Sequence, residues 1–216
     1  MKAKTIWIFL GLILLIGMKI NAQGIKFGLT AGSVFANAHL TNKPDNYSHY
    51  RVYYPMLSYN INGYIGYRSA RFWGLSAEPG IIQKGGIQRY DKSTKDDDLR
   101  FQLNYLQLPL FAEIYLNDKL FVSIGPEIAY MINAKVTSKI FSKYKNDITK
   151  LYDNRFELSG IIGINYNIIE KIDIGLRYNL GLTYTQEIIW TDDIGTPLGK
   201  SKEYNQYIQF ILRFKI

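Results

Sequence analysis

Cysteine is absent from the 216-residue sequence, and long apolar runs are confined to its first two dozen residues. Without cysteine there are no disulfides, so an exported domain of this size must be stabilised by its core or by backbone hydrogen bonds. Beyond residue 22, no apolar run approaches the roughly eighteen residues that a membrane-spanning helix needs. If the rest of the chain enters a membrane, it must do so as strands closed into a barrel.

Proline is also scarce, with six residues, whereas tyrosine (18), glycine (18) and phenylalanine (11) are abundant. This composition favours strands over helices. The formal net charge is +8 for the whole sequence and +5 without residues 1–22, which hold three lysines and no acid. For an exported chain, the basic balance favours phosphate-rich lipid over nucleic acid as the anionic neighbour, and we predict no nucleic-acid binding.

The N-terminus has the layout of a secretory signal. Lys2 and Lys4 precede an apolar run over residues 6–17, and Ala22 stands before Gln23. We predict cleavage after Ala22, which makes residues 1–22 a signal peptide and residues 23–216 one exported domain. Ile20, at the third position before the cut, is bulkier than usual, so an uncleaved anchor is the alternative.

From residue 24 onward, apolar and polar residues alternate with period two, as in half-buried strands. In the block 105–116 the even positions are aliphatic and the odd positions are mixed. The blocks 120–132, 172–182 and 208–216 repeat this pattern. Glycine, serine, alanine and charged residues therefore share one face of each strand.

The alternation and the turn signals predict eight strands. We place them at residues 24–36, 56–68, 72–84, 100–116, 120–134, 154–168, 171–185 and 203–216. The connections alternate in length. Tight turns fall at 69–71, 117–119 and 169–170, and long loops at 37–55, 85–99, 135–153 and 186–202. Short turns on one side and long loops on the other are typical of an outer-membrane barrel, whose short turns are periplasmic.

The alternation does not by itself show which face points outward. A soluble lipocalin-like barrel keeps its apolar face inside, whereas a membrane barrel turns it to lipid. The nearly uninterrupted aliphatic faces, and polar faces that mix glutamate with arginine, favour the membrane case. We therefore predict an all-β fold, an eight-stranded antiparallel transmembrane up-and-down β-barrel.

Aromatic residues near the strand ends predict two girdles at the membrane interfaces. On the short-turn side they are Tyr67, Phe72, Trp73, Tyr115, Phe121 and Tyr166, and on the long-loop side Tyr59, Tyr130, Tyr184, Trp190 and Tyr204.

Three segments, Asn104–Leu110, Gly125–Tyr130 and Asp173–Leu182, resemble the PorT-like outer-membrane β-barrel family of Bacteroidetes-type bacteria, a porin family with an outer membrane protein beta-barrel domain. The junction at Ala22 is also similar. The resemblance implies a barrel in the outer membrane but no defined activity, because members are porin-like or uncharacterised and one branch is associated with protein secretion. The C-terminal residue, Ile216, departs from the aromatic end of many bacterial barrels.

The polar parity collects charged residues that a barrel would enclose. They are Glu78, Glu113, Glu127, Glu157, Arg68, Lys84, Arg177 and Arg213. Eight strands enclose a space just wide enough for side chains, and charges there must pair or incur several kcal/mol of desolvation cost each. We predict a structural charge network rather than a conducting pore, with Glu78, Glu113, Glu127, Arg177 and Arg213 as its members.

Other candidate sites lie in the long loops. His39 and His49 flank Asp45, but we interpret them as solvated loop residues and predict no catalytic residue, metal or cofactor. The second loop is acidic and the third basic, through Asp91 and Asp96–Asp98, and through Lys135, Lys139, Lys143, Lys145 and Lys150. Solvation is the simple interpretation. The alternative is that the lysines contact lipid phosphates and the aspartates hold a divalent ion.

These observations predict a monomeric, non-enzymatic barrel with a structural, adhesive or envelope-assembly and secretion-associated role. Its expected partners are outer-membrane lipid and lipopolysaccharide, and an envelope protein bound through the loops. The alternatives are a small-solute porin-like channel and a secreted soluble lipocalin-like binding barrel, with an enzyme in third place.

Overall fold

The structure, a computed structural model, describes residues 24–44, 53–69, 72–88, 98–138, 145–192 and 194–216. The predicted signal peptide lies outside these residues. The strands are β1 (Ile25–Thr41), β2 (Tyr53–Tyr54), β3 (Met56–Arg68), β4 (Trp73–Ala77), β5 (Gly80–Gln88), β6 (Leu99–Tyr115), β7 (Leu120–Ser138), β8 (Lys145–Asp147), β9 (Phe156–Ile169), β10 (Ile172–Gly181), β11 (Gln186–Thr191) and β12 (Pro197–Lys215). A 3₁₀ turn spans Thr149–Leu151. In these ranges no helix has the length and apolar character needed to span a membrane.

The barrel wall is a closed ring of eight antiparallel staves, where a stave is one complete crossing of the wall by the chain. β4 and β5 are two halves of one stave. The order around the ring is β1, β3, β4 with β5, β6, β7, β9, β10 and β12. The ring closes where β12 pairs with β1, from Gly28 opposite Lys215 to Thr41 opposite Lys202. Each stave neighbours the stave that precedes it in the chain, so the predicted eight-stranded up-and-down barrel is confirmed.

Several predicted boundaries differ from the structure. β1 continues to Thr41 rather than ending at residue 36, and residues 186–202, predicted to be a loop, form a hairpin of β11 and the start of β12. The physical reason is that inter-strand hydrogen bonding does not require the apolar alternation that marks the lipid-facing part of each strand.

The predicted strand 72–84 is interrupted at Glu78 and Pro79, because proline has no N–H for the ladder. The backbone nonetheless stays hydrogen-bonded there. The N–H of Glu78 donates to the carbonyl of Pro109 (3.0 Å), and the N–H of Gly63 donates to the carbonyl of Pro79 (2.8 Å). The register against β3 is therefore the same on both sides of the break.

The aliphatic face of the strands points outward. Leu57 and Leu106 on this face are 66 % and 54 % exposed, whereas the inward Gln107 and Glu113 are 5 % and 1 % exposed. A soluble barrel would have the opposite arrangement, so the lipocalin-like alternative is wrong for this chain.

The aromatic girdles are present in part. Tyr67, Phe72, Trp73 and Tyr166 are exposed on the short-turn side, and Tyr59 and Tyr130 are exposed nearer the long loops. Tyr115, Phe121 and Trp190 were predicted for these girdles but point inward. They occupy the inward parity of their strands, where Tyr115 donates to Glu113 and Trp190 donates to Ser201.

Closure of the ring depends on close backbone approach at Gly28. A Cβ built on Gly28 would overlap the carbonyl oxygen of Phe214 on β12. We expect Gly28→Ala to reduce the yield of folded barrel, read as loss of the mobility difference between boiled and unboiled samples in SDS electrophoresis. Gly160→Ala is the matched control, since no atom lies within 4 Å of its added Cβ. Equal yields for both variants would contradict this account of the seam.

Candidate functional site: the charged barrel interior

Charged side chains fill the barrel interior in two groups. The lower charge cluster lies toward the short turns and consists of Glu78, Glu113, Asp173, Arg177, Arg213 and Lys215. The upper charge cluster lies toward the long loops and consists of Lys84, Glu127 and Glu157. Alternation along the staves positions these side chains, because every second residue of each strand faces inward.

The lower charge cluster is built around two arginines that share Glu78. Arg177 binds Glu78 through both guanidinium nitrogens, with Nη1 to Oε2 at 2.7 Å and Nη2 to Oε1 at 2.8 Å. Nη2 of Arg213 also donates to Oε1 of Glu78 at 2.8 Å. Both arginine side chains are 1 % exposed, so these ion pairs replace the hydration that the charges lost on burial.

The remaining members complete a balance of three cations and three carboxylates. Nη1 of Arg213 reaches Glu113 at 3.2 Å and Asp173 at 3.4 Å, and Nζ of Lys215 donates to Asp173 at 2.7 Å. Arg177 stacks on the ring of Phe111 at 4.5 Å, and Arg213 stacks on Tyr64 at 4.2 Å. The arginines thus span the lumen with rings against their faces.

The upper charge cluster places one cation between two carboxylates. Nζ of Lys84 lies 2.6 Å from both Glu127 and Glu157, and all three groups are fully buried. Neutral donors satisfy the outer oxygens. Tyr207 donates to Glu127 at 2.6 Å, and the amide of Asn205 donates to Glu157 at 2.7 Å. The pattern spreads the excess negative charge over several hydrogen bonds.

An apolar cluster packs in the lumen around the upper charge cluster, where the rings of Tyr105 and Tyr207 lie next to Lys84. Its members are Val34, Ala36, Ile82, Leu103, Tyr105, Ala129, Met131, Ala134, Tyr152 and Tyr207. Tyr152 comes from the segment after β8 rather than from a stave. The turn before it is anchored on β7, since the backbone N–H of Ala134 donates to the hydroxyl of Thr149 at 2.9 Å. Hydrogen bonds from the hydroxyl and the backbone N–H of Thr149 lower the pKa of Asp147 below its ordinary value.

All five residues named for the charge network lie in the barrel interior and take part in ion pairs, as do Lys84 and Glu157. Arg68 does not join them. It is half-buried at the short-turn end, 3.7 Å from Asp118. Asp173 and Lys215 lie on the polar parity of the blocks 172–182 and 208–216 but were not included in the predicted network. Their inward positions next to Arg213 were the signal that could have included them.

The loop candidates fall partly outside the described residues. His39 lies on β1, not in a loop, and stacks on Tyr204 with ring centroids 5.5 Å apart. His49, Asp45, Asp91, Asp96, Asp97, Lys139 and Lys143 lie outside the described residues, and Lys135 and Lys150 are exposed. Across the part of the chain that the structure describes, no three His, Cys, Asp or Glu side chains are placed to hold a metal ion.

Comparisons with known proteins identify relatives of this barrel. The family model for the outer membrane protein beta-barrel domain matches residues 21–186. Neisserial surface protein A (NspA) of Neisseria is similar in structure, with a TM-score of 0.50 and 14% identity, over 89% of this chain and 99% of that one. The attachment invasion locus protein Ail of Yersinia pestis gives a TM-score of 0.45 and 13% identity, over 88% and 99%. No curated protein matches in sequence.

Burial should decide how much each ion pair contributes to stability. Lys84→Met leaves two buried carboxylates without their cation, and we expect it to lower the free energy of unfolding by about 3–5 kcal/mol. Lys200→Met removes an ion pair of similar length on the surface, where Nζ of Lys200 lies 2.7 Å from Glu187. We expect no measurable change in the free energy of unfolding for this variant, because water screens the pair. Urea unfolding in lipid vesicles measures both. An equal loss of unfolding free energy in the two variants would contradict the view that burial determines the contribution of an ion pair.

Proposed function

This chain belongs to the outer membrane protein beta-barrel domain family, and from that premise we propose that it is a non-conducting barrel that acts through the segments projecting beyond its long-loop side. The observation that carries the proposal is the filled interior. Two clusters of paired charges and an apolar cluster that includes Tyr152 lie in the interior, so side chains occupy the space that a solute would need. We assign a structural role to the five-residue charge network, and we propose no catalytic residue.

The projecting hairpin supports a role in protein contact. On the outward face of β12, Lys200 and Lys202 lie between the lipid-facing residues and the hairpin tip. Charges there favour a position outside the hydrocarbon layer. Beyond them, Ile194 and Leu198 are exposed, Ile194 by 88 %. Apolar side chains held in water beyond a charged belt are suited to binding another protein. We therefore propose an adhesive or envelope-assembly role.

We further propose membership of the PorT-like branch, supported by the three segments that resemble it. Under this proposal the barrel works as a monomer, binds an envelope protein through its loops and contacts outer-membrane lipid and lipopolysaccharide through exposed lysines such as Lys135 and Lys150. Residues 1–22 are proposed to direct export and to be removed after Ala22.

The porin-like alternative is tested by conductance. We expect the purified protein, folded in a planar bilayer, to give no discrete conductance steps, because its buried ion pairs and Tyr152 occupy the lumen. A known porin inserted under the same conditions is the control for detection. Reproducible steps that scale with the amount of folded protein would overturn the non-conducting proposal.

The hairpin is tested by the double variant Ile194→Ser, Leu198→Ser. We expect it to fold normally, since both residues are exposed, but to reduce cell attachment or protein secretion to the level of a strain lacking the protein. Attachment and secretion are measured separately, so the result also separates an adhesive from a secretion-associated role. Gly160→Ala, which adds a methyl group where no atom lies within 4 Å, is the control. Normal attachment and secretion with the double variant would refute the assignment of function to this hairpin.

A further inference from the structure

A polar cavity of about 290 Å³ opens at the short-turn end of the barrel, below the lower charge cluster. Lys26, Tyr64, Arg68, Lys119 and Lys215 line it, together with Asp118, Glu170 and several uncharged residues. These side chains come from β1, β3, β12, the turn between β6 and β7, and the turn between β9 and β10. Because the short turns of such barrels face the periplasm, the cavity is accessible from that compartment.

The hydroxyl of Tyr64 is an unpartnered polar group at this cavity. Tyr64 is only 5 % exposed, and no residue that the structure describes forms a hydrogen bond with its hydroxyl. Its neighbour in the cavity wall is Gly66, where an added Cβ would overlap that hydroxyl. Glycine therefore leaves the space into which the hydroxyl projects. The hydroxyl faces the open cavity, so it can donate a hydrogen bond to a bound molecule.

Cations next to this hydroxyl are held loosely by their acids. Arg68 lies 3.7 Å from Asp118 and Lys26 lies 3.8 Å from Glu170, and both acidic side chains are almost fully exposed. Arg68 is nonetheless fixed in orientation, because its guanidinium lies 4.0 Å above the ring of Tyr115. The hydroxyl of Tyr115 in turn donates to Glu113 at 2.8 Å. The guanidinium is thus positioned by the barrel but keeps donors for another anion.

We propose that this cavity binds the free carboxylate end of a peptide from the periplasmic side. Arginine pairs with carboxylates through two parallel hydrogen bonds, and a tyrosine hydroxyl can donate a third. The acids at the rim, Asp118 and Glu170, would accept peptide N–H groups. They would also repel a multiply charged anion, and for this reason we favour a peptide over a phosphate. This site is separate from the hairpin and does not depend on the function proposed for it.

Calorimetric titration of the folded barrel in lipid nanodiscs tests the site. The probes are a synthetic tripeptide with a free C-terminal carboxylate, the same tripeptide as its C-terminal amide, and inorganic phosphate. We expect the amide to bind about tenfold more weakly than the acid. Arg68→Gln should weaken binding of the acid by a similar factor, and Tyr64→Phe by about fivefold. Arg100→Gln, an exposed arginine on the long-loop side, is the matched control and should leave the affinity unchanged.

Equal affinity for the acid and the amide would overturn the proposal, as would phosphate binding as tightly as the acid. Absence of any heat of binding with the acid would also overturn it. The mobility difference between boiled and unboiled samples shows whether each variant is folded. If Arg68→Gln does not fold, Tyr64→Phe still tests the site, because it removes only the unpartnered hydroxyl oxygen.

Discussion

The requirement that every backbone N–H and C=O in the hydrocarbon layer be hydrogen-bonded governs this structure. Strands meet this requirement only when the sheet has no free edge, and pairing of β12 with β1 removes the edges. The same requirement explains how the barrel tolerates proline. Pro79 and Pro109 cannot donate, yet the carbonyl of each accepts a hydrogen bond from a neighbouring stave. The ladder is locally altered there but keeps its register.

Closure with eight staves also dictates the chemistry of the interior. The lumen is too narrow for charged side chains to keep their hydration, so each must find partners across the barrel. The lower charge cluster achieves this by balancing charges, with arginine forks at its centre. The upper charge cluster has one lysine for two glutamates and relies on neutral donors such as Tyr207 and Asn205. Buried charge is thus stabilised by opposite charges in the lower charge cluster and partly by neutral hydrogen-bond donors in the upper charge cluster.

Sequence periodicity was sufficient to predict the barrel and the inward position of Glu78, Glu113, Glu127, Arg177 and Arg213, because side-chain parity depends only on local backbone geometry. Pairing partners were not predictable. Arg213 and Glu78 are 135 positions apart, and their contact depends on the tilt and stagger of all intervening staves.

Strand ends were also poorly predicted. The alternation marks where a strand faces lipid, but β1 and β12 extend beyond that layer with polar residues on the outward face, such as His39 and Lys202. For Tyr115 and Trp190, the position in the strand determined the direction of the side chain, and the residue type did not. Their aromatic character suggested the membrane interface, whereas their positions within the strands turned them inward.

Tyr152 belongs to an outer connection and to the packed interior at the same time. Surface loops of barrels usually accept sequence change freely, because their side chains contact only water. The stretch from Thr149 to Tyr152 lacks that freedom, because Thr149 is hydrogen-bonded to β7 and the ring of Tyr152 packs inside the lumen. Divergence among related barrels should therefore spare this stretch. Sequence variation on the outer surface should therefore be found in other connections, such as the tip of the hairpin at Ile194.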